Sequence, residues 1–172
     1  NDASPLGLRN LPFTIHMGAE DAAYQRNEIA AEWGEKLDEL QKNDPEGYIH
    51  DVQIHEGMWH WMERKDTVGI EWISQFNRIT YPDKVVWKQS SVTHNRFYWL
   101  AVPEGAAKKD ALVIASINGQ TITIEKAELV KELIINLNDK IVDLNKKVKV
   151  EFDGKLIYDE VPKRTVSNIW NS

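Results

Sequence analysis

Two residues of complementary chemistry stand in loops of the same kind. Gly18-Ala19-Glu20-Asp21 closes one apolar run and Gly57-Met58-Trp59-His60 closes another, so a carboxylate and an imidazole follow two successive segments of one pattern. An imidazole takes up and returns a proton near neutral pH, and a carboxylate bonded to its other nitrogen sets the tautomer and stabilises the charged ring. Such a pair is the acid-and-base part of a device that activates an attacking hydroxyl. The hydroxyl itself is not evident. No Gly-x-Ser-x-Gly occurs, and none of the seven serines is flanked by glycines at that spacing. Each residue also has a plainer use: Asp21 as the N-cap of a following helix, and His60 as a ring packed among Trp59, Trp61 and Met62.

Other residues invite chemical readings that their spacing weakens. His55-Glu56-Gly57-Met58-Trp59-His60 looks like a zinc protease motif, but its histidines are five apart with a glycine between, whereas that motif puts them four apart on one helical face. His50 and His55 differ by an odd number and would face opposite sides of a strand. No metal site and no cofactor is expected. Tyr24, Arg26 and Asn27 follow Asp21 closely and either line a cleft or pin the loop, with pinning preferred. His94 reads as an exposed polar turn. Trp87, Trp99 and Trp170 could stack on a sugar, although aromatics dispersed among strands are more often core.

The elements around Asp21 and His60 follow from hydrophobic period. Leu11 to Met17 reads as a buried strand of a parallel sheet. Ile29, Trp33, Leu37 and Leu40 make one stripe of a helix that Asn43-Asp44-Pro45-Glu46-Gly47 ends. Tyr48 to Ile54 is the next strand. Asp66 is placed to cap a further helix with the stripe Val68, Trp72, Phe76 and Ile79, stopped at Tyr81-Pro82-Asp83. Strand, helix, strand, helix is the pattern of a parallel sheet with helical crossovers, and Asp21 and His60 then fall at the strands' C-terminal ends, where open α/β sheets place their sites. Two parallel strands are too few to stand alone, so this part reads as the edge of a larger sheet.

Beyond Pro82 the pattern becomes all-β. Strands are expected at Lys84 to Lys88, Phe97 to Val102, Leu112 to Ile117 and Thr121 to Glu125, with Asn118-Gly119 as a type I′ turn. Leu133, Ile135 and Leu137 alternate, as do Val148, Val150 and Phe152, and Asp153-Gly154 turns the chain into Leu156 to Tyr158. The stretch Glu125 to Leu133 reads as strand or helix. Seven or eight short strands of this kind describe a β-sandwich.

Charge divides the chain at the same place. Residues 1–82 carry 7 Lys and Arg against 15 Asp and Glu, and residues 83–172 carry 14 against 12, which supports two domains with a boundary at Pro82. The net charge of -6 argues against a nucleic-acid partner. The one basic run, Lys146-Lys147-Lys149, reads as the solvated face of a strand. No segment approaches the roughly 18 apolar residues of a membrane span. The absence of cysteine removes disulfides, thiolate metal sites and a cysteine nucleophile.

The runs Leu8-Arg9-Asn10-Leu11-Pro12-Phe13, Gly18-x-x-Asp21-x-x-Tyr24-x-Arg26-Asn27 and Gly57-Met58-x-His60-Trp61-Met62 resemble the C-terminal part of bacterial α/β-hydrolases of the dienelactone hydrolase or prolyl oligopeptidase-like type, over about Leu6 to Phe76. Val85-Val86-Trp87-Lys88, Thr93-His94-x-Arg96-Phe97-Tyr98-Trp99 and Leu137-Asn138-Asp139 resemble the small β-domain that follows in some of them. The resemblance implies that Asp21 is the triad acid and His60 the general base of a serine hydrolase acting on an ester or peptide bond. It implies too that the chain begins after the serine and is inactive alone, and that its setting is periplasmic or secreted. Trp59 departs from the small residue often found before the histidine and could crowd or shield the ring. An unpaired sheet edge would favour self-association. The alternative function is a non-catalytic module whose β-sandwich binds a glycan or a protein.

Overall fold

A computed structural model describes residues 4–164. The described chain is a mixed α/β structure, richer in strand than in helix, with two α-helices. It divides into two compact units between Ile79 and Thr80, and residues 4–7 go with the second.

In the unit Leu8–Ile79, β1 (Phe13–Gly18) leads through α1 (Arg26–Asn43) to β2 (His50–His55), and α2 (Val68–Ile73) follows. The strands are parallel, in register from Phe13 opposite His50 to Gly18 opposite His55. Alternation sorts their side chains. Phe13, Ile15, Met17, Val52 and Ile54 form the apolar row under α1, where Trp33 meets Phe13 at 6.0 Å between ring centroids. The helix buries Ala30, Gly34 and Leu37 most deeply, not the full stripe of Ile29, Trp33, Leu37 and Leu40 that periodicity suggests. Small residues at 30 and 34 let its backbone approach β2, so that a Cβ on Gly34 would lie 3.1 Å from a Val52 methyl.

The second row is polar, with Thr14, His16 and Gly18 beside Asp51, Gln53 and His55, and α2 packs on it through Gly69. Arg9 ties the lead-in of β1 to the turn before β2. Its guanidinium donates to both carboxylate oxygens of Asp44 at 2.7 and 2.8 Å, and its carbonyl accepts from the Tyr48 amide at 3.0 Å. α2 departs from expectation at both ends. Asp66 does not cap it, because it lies within a 3-10 segment, Met62–Thr67, and the cap position falls to Thr67 without a side-chain bond. Phe76 and Ile79 lie beyond its end. The Ser74 hydroxyl bonds the Glu71 carbonyl and the next amides bond three residues back, a tightening that ends the helix.

Among the described residues the second unit holds eight strands: β3 (Lys84–Lys88), β4 (Arg96–Phe97), β5 (Leu100–Ala101), β6 (Leu112–Asn118), β7 (Thr121–Glu128), β8 (Ile134–Ile135), β9 (Val148–Phe152) and β10 (Lys155–Glu160). Five form a mixed sheet in the order β10-β9-β7-β6-β3, with β7 and β9 parallel, and three form a sheet in the order β4-β5-β8. Alternate residues of the larger sheet, Val85, Trp87, Val113, Ala115, Ile122, Ile124, Val148 and Val150, join Trp99, Leu100, Val102 and Val142 in one core.

Several strand details differ from the sequence pattern. Phe97 to Val102 is not continuous, because Tyr98 takes φ 52 and Phe97 pairs with Leu100, a hairpin that sends Trp99 into the core. β7 runs on to Glu128, which resolves Glu125 to Leu133 as strand until Leu129 turns out at φ 59. The Asn118-Gly119 turn sits one residue later than expected. Asn118 pairs with Thr121, and only Gly119 of the two linking residues has positive φ, the pattern of a II′ turn and not I′. Asp153 and Gly154 both have positive φ, as a I′ turn requires.

Candidate functional site

The parallel register sets the C-terminal ends of β1 and β2 side by side, and the two loops leaving them are joined backbone to backbone. The Ala19 amide donates to the His55 carbonyl and the Glu20 amide to the Met58 carbonyl, both at 2.9 Å. Gly18 makes this approach possible. A Cβ there would stand 2.4 Å from the Met58 oxygen and 2.5 Å from the Trp59 oxygen, far inside van der Waals contact and against main chain that no rotamer change can clear.

The outcome is a short bond between the two sequence candidates. His60 Nδ1 lies 2.7 Å from Asp21 Oδ2. Asp21 is 4% exposed, whereas the His60 side chain is 53% exposed. A buried carboxylate would ordinarily be pushed toward its neutral form. Here the hydrogen bond to His60 holds the Asp21 pKa below the usual carboxylate range in spite of burial, with help from the Arg26 charge. The ionised carboxylate can only accept, so Nδ1 carries the hydrogen. Nε2 of the neutral ring is therefore the basic nitrogen, on a side chain half open to solvent.

Asp21 does not act as an N-cap, since α1 begins at Arg26 after Gln25. Nor is His60 packed within the aromatic cluster around it. Trp61 touches its ring edge-on at 5.3 Å and is itself 84% exposed, while Trp59 is turned to solvent at 71%. Asn27 pins the Asp21 loop: its side chain donates to the Ala19 carbonyl at 2.8 Å and its amide to the Asp21 carbonyl at 3.2 Å. Arg26 does something that spacing did not reveal, donating from Nη1 to Asp21 Oδ1 at 3.2 Å. Tyr24 lies beneath the guanidinium, 5.1 Å from ring centroid to Cζ.

Left-handed backbone flanks both partners. Tyr24 and Gln25 have φ of 56 and 59, and Met62, Glu63 and Arg64 have 43, 50 and 67. Each non-glycine residue in this region costs about 1–2 kcal/mol, and such strain collects where the surrounding structure requires one geometry. Burial of Met62 and the Asn27 bonds supply that requirement here.

The remaining candidates lie apart from the pair. His50 bonds the Tyr48 carbonyl at 2.7 Å and Asp38 at 3.2 Å, and no group of three potential ligands suited to a metal exists among the described residues. A second imidazole pair, His16 Nδ1 and His55 Nε2 at 3.0 Å, was missed in sequence because only the register puts both on one face. His94 is exposed. Trp87 and Trp99 are buried, and Trp99 donates to the Pro82 carbonyl at 2.9 Å, so neither can stack on a ligand; Trp170 lies outside the described residues. Ser74, the one serine of the Leu8–Ile79 unit, is engaged with Glu71.

Two measurements check this arrangement. Gly18→Ala must displace the 58–59 backbone, so it is expected to cost about 1–3 kcal/mol in chemical denaturation and to erase the downfield Nδ1 proton resonance of His60. Retention of that resonance would contradict the close approach. Because the Asp21 pKa is lowered by folding, its stabilising contribution is complete above the unfolded carboxylate value of about 3.9 and is lost as pH falls through the folded one. The thermal midpoint of Asp21→Asn should accordingly fall less than wild type on acidification from pH 5 to pH 2 (roughly the span of that loss). Comparison of the chain with protein-family models, with curated proteins and with solved structures finds no match to any of them.

Proposed function

We propose that the Leu8–Ile79 unit is the acid-and-base part of a serine hydrolase that cleaves an ester or peptide bond through an acyl-enzyme. The observation that carries this reading is the 2.7 Å bond between buried Asp21 and half-exposed His60 at the C-terminal ends of two parallel strands. His60 Nε2 would take the proton of an attacking hydroxyl as its oxygen bonds to the acyl carbon. The imidazolium would return that proton to the leaving group, and the same exchange with water would release the acyl product. Asp21 would keep the ring in the Nδ1–H tautomer and face the charged ring.

The hydroxyl and the oxyanion donors belong, on this proposal, to polypeptide outside the present sequence, and this chain alone does not turn over. Ser74 is unsuited because its hydroxyl is bonded within its own helix turn. A sheet of only two parallel strands fits the same view, since parallel sheets need neighbours to bury both faces. The proposed fold is thus the edge of an α/β-hydrolase sheet followed by a β-sandwich, a reading favoured by the two sheets of the second unit sharing one core. For the alternative of a glycan- or protein-binding module, burial removes two of the three tryptophans suggested for stacking on a sugar, Trp87 and Trp99.

Labelling tests the assignment. The serine-bearing protein that contains these residues should react with a fluorophosphonate, and His60→Ala should lower the rate by at least about a thousandfold. Undiminished labelling would remove His60 from the role of base. The unpaired strand edge leads to a separate expectation: the present chain self-associates at micromolar concentration in sedimentation velocity, and a strictly monomeric boundary would count against an open edge.

A further inference from the structure

The two oxygens of the Asp21 carboxylate are held by different partners. Oδ2 faces His60 Nδ1 at 2.7 Å, and Oδ1 accepts from Arg26 Nη1 at 3.2 Å. Arg26 is the first residue of α1, where the helix dipole places positive charge and disfavours a cation. Its position there goes against the local electrostatics, and the carboxylate five residues back supplies the compensation. The two consecutive left-handed residues Tyr24 and Gln25 turn the chain so that this contact closes, and the Tyr24 ring lies under the guanidinium at 5.1 Å. A broken dipole rule, strained backbone and a stacked aromatic all bear on one ion pair. Residues that violate local preferences in this way tend to belong to functional sites.

We propose that Arg26 is a positioning residue that acts on His60 through the Asp21 carboxylate: by holding Oδ1 and sharing its charge, it limits how strongly Asp21 favours the protonated ring. The inference rests on the reading of the pair as a proton-transfer device, but its test concerns the pair alone and needs no activity. Among the described residues, His60 and Arg26 are the charged groups that act on the carboxylate. With Arg26 removed, Asp21 loses one stabilising cation, and the imidazolium loses one repelling neighbour. Both groups should then hold their protons to higher pH.

The experiment is an NMR pH titration of the full chain, following the Asp21 carboxyl carbon and the His60 Cε1 proton. In Arg26→Gln both midpoints should rise by about half a pH unit, the scale of a single, partly exposed cation contact. Arg26→Lys, which keeps the charge without the planar fork, should return them to within about 0.2 unit of wild type. A His60 midpoint in Arg26→Gln that stays put or falls would overturn the proposal, since a residue that merely anchors the loop would loosen the pair and weaken the Asp21 field. Should Arg26→Gln not fold, Arg26→Ala, a charge-removing change to the best helix former, takes its place: a rise of both midpoints supports the idea and a His60 midpoint that stays put or falls overturns it. Neither result bears on fluorophosphonate labelling, so the two proposals fail separately.

Discussion

The approach of main chain to main chain at Gly18 is the constraint on which the rest of the site depends. β1 ends directly beneath the carbonyls of Met58 and Trp59, in a space that admits a hydrogen and nothing larger. The two amide bonds from Ala19 and Glu20 close only at that separation. Asp21 and His60 are thereby presented from loops that cannot move independently. A short bond between side chains of such different exposure follows from the backbone first and from the side chains second.

Electrostatics then separates the roles of the two partners. Burial removes water from Asp21, so its charge is retained through the donors that replace water, His60 foremost and Arg26 after it. His60, in contrast, keeps half its side-chain surface open to solvent. The left-handed residues on either side show where the local cost of this arrangement is held, at Tyr24-Gln25 and at Met62-Glu63-Arg64. Around the strands themselves the division is simpler: an apolar row lies under a helix with small residues at its closest points, and a polar row lies under Gly69.

The second unit makes the same physics visible. Its core is one face of a five-stranded sheet together with Trp99, whose indole N–H finds the Pro82 carbonyl in the interior. A single left-handed residue, Tyr98, converts what alternation presents as a continuous strand into a hairpin, and that turn buries Trp99. The II′ geometry at Gly119-Gln120 has a similar origin, because cross-strand pairing of Asn118 with Thr121 claims the asparagine for the ladder.

Hydrophobic period and turn residues by themselves determined most of the strands, the long helix α1 and the candidacy of Asp21 and His60, since these depend on neighbours a few residues away. β3 and β9 match the expected limits because both are bounded by local signals. Tertiary structure decided the rest. The length of α2 was settled by a serine that bonds its own turn, and the burial of Ala30 and Gly34 by how near α1 can come to Val52. Whether Asp21 capped a helix or met His60, and that Arg26 would share its carboxylate, were matters of loop approach, set by the parallel register and by the missing Cβ of Gly18. Such contacts join residues far apart in the chain, and no pattern within a single segment encodes the distance between two loops.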